Sequence, residues 1–147
     1  MMNSWLRFWW YWLVIAICGV TIFSLSLVFL PDFMQLFFNK MFFSSSQAHS
    51  TFSGVAYSYI KFVYGVLGAV MFGWSVALLY IVAVPFRSGK REAWYAITAS
   101  ILMWFIVDSL FSISTGFWQN AIFNTTFIVF FVIPLIATYR NFQNNSF

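Results

Sequence analysis

Asp108 is the only acidic residue inside any long apolar run of this chain. It stands in the stretch 100–126, SILMWFIVDSLFSISTGFWQNAIFNTT, with Ser112 four residues on and Asn120 and Asn124 beyond a turn signal at Gly116. A carboxylate can accept hydrogen bonds, hold the polar end of a ligand or carry a proton, and serine and asparagine can donate to it. Ala96, Ser100, Trp104, Asp108 and Ser112 fall four apart, a spacing that puts them on one helix face. A hairpin turning at Gly116 sets Asp108 level with Asn124 and Ser112 level with Asn120. A charged side chain in hydrocarbon costs at least ~2.5–3.5 kcal/mol, so Asp108 is expected to face a bundle interior or water.

These residues admit three readings. The first is an interhelical hydrogen-bond clasp, worth about 0.6–2 kcal/mol per bond in a membrane. The second is an outward-opening polar pocket for a small hydrophobic ligand, built from Asp108, Ser112, Asn120, Asn124 and Trp104. The third is a membrane enzyme or proton-coupled carrier in which Asp108 handles the proton. Lys61 is a candidate ion partner for Asp108. It sits roughly six residues nearer the outer surface, about 10 Å by helix rise, so snorkelling to the interface is the simpler expectation.

Enzyme readings lack reagents. No second carboxylate, histidine or cysteine stands near Asp108 to act as acid–base partner or nucleophile. Cys18 is the only cysteine and His49 the only histidine, so neither a disulfide nor a metal site is expected, and no cofactor. No phosphate loop, dinucleotide fingerprint or metal motif occurs. The balance leans away from an enzyme.

The elements that position Asp108 follow from composition. The chain of 147 residues is 63% hydrophobic, 24% aromatic and 7% charged, against about a quarter charged in soluble domains. So few charges cannot cover a water-facing surface. Runs of the ~20 apolar residues needed to span a bilayer recur four times. The expectation is all-α: a membrane-spanning antiparallel four-helix bundle, one integral membrane domain over 1–147. Its helices are set at about 9–30, 57–86, 93–115 and 118–139, with a short amphipathic interfacial helix at 31–45 between the first two.

Taken along the chain, Arg7 before an apolar run invites a signal-peptide reading. The run is longer than a signal's apolar region and no A-x-A-like site follows, so it reads as an uncleaved helix. Trp5, Trp9, Trp10, Tyr11 and Trp12 form an interfacial aromatic belt at its start, and Pro31 ends it. In 31–45 the polar residues Asp32, Gln35 and Asn39 recur at helical spacing among Phe, Leu and Met, which fits a helix lying in the interface or folding over the bundle as a lid. The polar SSSQAHSTFSG that follows reads as flexible.

The second span carries Gly65, Ala69, Gly73 and Ala77 four apart. Small-residue faces let membrane helices approach closely, so this ridge packs within the chain or, as the alternative, joins two copies in a homodimer. Gly68 widens it. Arg87, Lys90 and Arg91 cluster in the loop that follows, with Gly89 at its turn. Four spans put this loop and both termini on one side, with Arg7, Arg87, Lys90, Arg91 and Arg140 against Lys40 and Lys61 on the other. That excess places the termini in the cytoplasm of a multi-pass cell-membrane protein. Scattered basic residues flanking apolar runs point to the lipid bilayer as partner, not nucleic acid. Pro134 removes one backbone bond from the last helix, and the Asn-rich tail reads as disordered.

The Gly-rich second helix, the basic turn running into Glu92-Ala93-Trp94-Tyr95, the Trp104…Asp108 pair, and Gly116 followed by Asn120 and Asn124 resemble small four-helix bacterial membrane proteins of unknown function. The resemblance implies the fold and no activity. In plan the chain is also similar to four-helix emopamil-binding and sterol-isomerase-type membrane proteins. Those rely on several acidic residues and a histidine in the bundle, where this chain offers Asp108 alone.

Overall fold

The computed structural model describes residues 3–43 and 54–143. His49, the polar stretch 44–53 and the tail 144–147 lie outside the described residues. Within them the chain is all-α. Helix α1 covers Ser4–Phe29, α2 Pro31–Phe42, α3 Val55–Ile81, α4 Arg91–Ser114 and α5 Trp118–Gln143, and α3 runs on into a π-helical turn at Val82–Phe86. Four of these helices are long and apolar enough to cross a membrane. Each also carries large apolar side chains on its outside, such as Ile15, Val70, Val107 and Ile136. Exposed apolar surface on every long helix is tolerable in lipid and a liability in water. The protein is a multi-pass membrane protein with a shorter helix after its first span.

Local signals set the helix limits. α1 starts five residues before the expected boundary because the Asn3 side chain accepts a 2.8 Å bond from the Leu6 N–H, a capping bond that satisfies one orphan donor of the first turn. The aromatic belt is therefore helical. Pro31 opens α2 at the first helical position, where its missing N–H costs nothing. Pro85 sits inside the π-turn, and the Lys90 N–H then reaches back to the Pro85 carbonyl at 2.9 Å. Gly89 completes this turn with φ +73. α4 ends in a Schellman motif. The Phe117 N–H bonds the Ser112 carbonyl at 2.8 Å and the Gly116 N–H bonds the Ile113 carbonyl at 3.1 Å, with Gly116 at φ +87. Glycine takes that left-handed conformation without strain.

Two compact units divide the chain: 1–18 with 77–147, and 19–76. In the first, α4 and α5 pack as an antiparallel pair. Ala93, Ile97 and Ile101, four apart on α4, are buried, as are Phe131, Leu135 and Phe142 on α5. The Phe86 and Phe142 rings meet at 4.7 Å. Lipid tails are as apolar as these side chains, so burial supplies dispersion contacts more than a hydrophobic drive. Directional bonds matter correspondingly more. Four indoles provide them: Trp5 donates to the Ala137 carbonyl, Trp10 to Val82, Trp12 to Phe130 and Trp94 to Leu135, at 2.8–3.1 Å. Trp5, Trp10 and Trp12, which sequence placed in an interfacial belt, thus also tie helices together. The Arg87 guanidinium lies over the Trp10 ring at 5.4 Å, a favourable cation–π distance.

In the second unit, the close approach of α1 and α3 is at Gly68. A Cβ added there would lie 2.6 Å from the Ser24 carbonyl oxygen and 2.8–2.9 Å from Val28 and Leu27 side-chain atoms. Around Gly65 and Gly73 a Cβ would meet nothing within 4 Å, and Ala69 and Ala77 are exposed. Intramolecular contact thus falls on Gly68 and leaves the four-residue ridge open, because the ridge and Gly68 point to different sides of α3. Below this contact Thr21 donates to Ser75 at 3.0 Å, and Ser75 donates to the Phe72 carbonyl at 2.8 Å. On α2, Met34 and Gln35 are buried while Phe33, Leu36 and Phe37 face outward.

Candidate functional site

The hairpin turn at Gly116 brings the end of α4 beside the start of α5. Ser112, four residues from Asp108 on the same face, places its hydroxyl 3.3 Å from Asp108 Oδ1. The Asn120 amide spans the two helices: its Nδ2 donates to Asp108 Oδ1 at 3.1 Å and to Ser112 Oγ at 2.9 Å. Ser112 is only 5% exposed, while Asp108 and Asn120 are half-buried. One carboxylate oxygen thus collects a hydroxyl and an amide from two helices.

Equal distance from the turn pairs Asp108 with Asn124, yet the amide at Asp108 belongs to Asn120. The reason is side-chain reach. Ser112, one turn nearer Gly116, leans back toward Asp108 as helical side chains do, and the Asn120 amide at Ser112's level reaches both the hydroxyl and the carboxylate. Asn124 lies one turn deeper on α5. It is 3% exposed, and its Nδ2 has no hydrogen-bond partner among the described residues. Ser109, next to Asp108, is 7% exposed and its hydroxyl is likewise unpartnered. Buried polar atoms without partners are few in native proteins, and in hydrocarbon no bulk water is at hand to satisfy them. Ser109 falls off the four-residue stripe, so spacing gave no signal for it.

Trp104 sits one turn below Asp108 on α4 and is half-buried. Lys61 takes another partner. Its Nζ lies 2.6 Å from Asp32 Oδ1 on α2, and it stands 4.4 Å from the centroid of the Tyr57 ring. The Tyr57 hydroxyl donates to the same Asp32 oxygen. Hydrogen bonds from Lys61 and then Tyr57 hold the Asp32 carboxyl below its ordinary value. Sequence reasoning missed Asp32 as a partner because the two residues are 29 positions apart on separate helices. The basic residues of the 87–91 turn are exposed, with Arg91 Nε donating to the Tyr95 hydroxyl at 3.0 Å. Among the described residues no three His, Cys, Asp or Glu side chains come together as metal ligands would.

Compared with protein-family models, with curated proteins and with solved structures, the chain matches none.

Proposed function

We propose that this four-span membrane protein is a small binding module whose site lies in the α4–α5 hairpin. In this reading Asp108, Ser112 and Asn120 clasp the two helices, and Asn124, one turn deeper on α5, takes the polar end of a small hydrophobic molecule. The observation that carries the reading is the buried Asn124 amide, whose Nδ2 has no partner among the described residues. A donor at that depth suits a ligand with one hydrogen-bond acceptor, a carbonyl or hydroxyl oxygen, on an apolar body. Leaving such a donor unpaired costs about 1–3 kcal/mol, which a ligand acceptor would recover.

The test compares 2-decanone with decane, two probes that differ mainly by a carbonyl. Thermal unfolding of the purified protein in micelles should rise with the ketone and not with the alkane. Asn124→Leu should remove the difference. An equal response to both probes, or a ketone response that survives Asn124→Leu, overturns the reading.

Two further statements belong to this proposal. The excess of basic residues on the side of Arg7, the 87–91 turn and Arg140 supports cytoplasmic termini. The open space around Gly65 and Gly73 favours the ridge as a homodimer face over an intramolecular one.

A further inference from the structure

α2 has twelve residues, too short to span a bilayer. It turns Phe33, Leu36 and Phe37 outward. A helix of that length with large apolar groups exposed settles at the boundary between headgroups and acyl chains. Where α2 meets α3 there is a cavity of about 250 Å³, open to the outside and lined chiefly by Phe38, Phe42, Tyr59, Ile60, Val63 and Tyr64. An apolar cavity of about 150 Å³ is enough to hold benzene, so this one takes a length of hydrocarbon. It is smaller than the ~300–1,000 Å³ sites that enclose whole drug-sized ligands. The fit is to part of a long molecule whose remainder lies outside.

The polar edge of the cavity is Asn39. Lys40, the next residue, is exposed and makes no ion pair among the described residues. This contrasts with Lys61, whose charge is taken up by Asp32. At the level of α2 an exposed ammonium with no ion pair among the described residues, next in sequence to the slot's polar edge at Asn39, meets one abundant partner chemistry, a phosphate above an acyl chain.

We propose that the α2–α3 groove seats one acyl chain of an anionic phospholipid, with Lys40 and the Asn39 amide receiving its headgroup phosphate. The reading does not depend on any ligand at Asp108. One lysine near an anionic headgroup gives about a fivefold preference over a zwitterionic lipid.

The test uses phosphatidylglycerol and phosphatidylcholine, each carrying a diazirine on one acyl chain, added at low mole fraction to phosphatidylcholine vesicles holding the full chain. After irradiation, labelled peptides are located by mass spectrometry. Phosphatidylglycerol should label 38–43 and 59–64 about fivefold more than phosphatidylcholine does, and more than the lipid-facing α4 segment around Val107 and Leu110. Lys40→Gln should equalise the two lipids at the groove. Val63→Trp, which fills the groove, should lower labelling there and leave α4 labelling unchanged. Uniform labelling of all exposed helix faces means ordinary annular lipid and overturns the proposal. Equal groove labelling by both lipids in the unsubstituted chain means a neutral hydrophobe site and overturns the headgroup assignment. If Val63→Trp fails to insert, the Lys40→Gln comparison still decides.

Discussion

Trp12 Nε1 donates to the backbone carbonyl of Phe130 at 2.9 Å, and the two rings stack with centroids 6.1 Å apart. Phe130 is four residues before Pro134, whose absent N–H would otherwise close the helical bond to that carbonyl. The indole of α1 thus supplies the donor that the proline of α5 withholds. Trp12→Phe should therefore destabilise the protein by about 1 kcal/mol. Pro134→Ala restores a helical donor, so the tryptophan substitution should cost less in that background. A double-mutant cycle read by unfolding in micelles measures the coupling, and additive effects would refute the pairing.

The hairpin clasp makes a second expectation. Asn120→Leu removes both bonds of one amide and should cost about 1–3 kcal/mol, because it also strips a donor from Asp108. Ser112→Ala should cost less, about 1 kcal/mol. The pair should be strongly non-additive since all three residues share one network. Asn120→Leu with no change in unfolding would dismiss the clasp.

Acid should loosen α2. The Asp32 carboxyl is held below its ordinary value of 3.8 by Lys61 and Tyr57. A carboxylate with a depressed value contributes stability that is full above its unfolded pKa and is lost as pH falls through the folded one. The difference in melting temperature between the unsubstituted chain and Asp32→Asn should hold from pH 7 to pH 5 and shrink below the ordinary value. A difference that stays constant down to pH 3 would contradict the sign.

Gly68 and Gly73 should behave oppositely. Gly68→Ala sets a methyl 2.6 Å from the Ser24 carbonyl oxygen, a backbone atom that cannot move aside cheaply. Overpacking of this kind typically costs about 1–3 kcal/mol. Gly73→Ala meets open space and should be neutral or slightly stabilising in the monomer, given alanine's higher helix propensity. Gly73→Leu then tests the ridge: it should leave the monomer folded and lower any dimer fraction seen by cross-linking in vesicles.

A reporter fused after Phe147 should read cytoplasmic in the orientation proposed from the basic-residue asymmetry. An extracytoplasmic reading would reverse the orientation of every span.

By itself the sequence determined the features that local chemistry decides. Length and apolarity set the four spans. Pro31 parted α1 from α2, Gly89 and Gly116 set the turns, and the short polar-striped segment after Pro31 became α2. Each rests on a backbone limit or a transfer energy that acts within a few residues. The tertiary structure decided which side chains meet. Spacing pointed to Asn124 for Asp108, and Asn120 reaches it; Lys61 found Asp32; close approach chose Gly68 over the more regular ridge. Helices in lipid are apolar all round, so periodicity scarcely says which face turns inward. One residue's rotation is about 100°, enough to exchange a buried face for an exposed one. Only packing fixes that rotation, and with it the indole bonds to Val82 and Phe130 and the burial of the Asn124 Nδ2, which has no partner among the described residues.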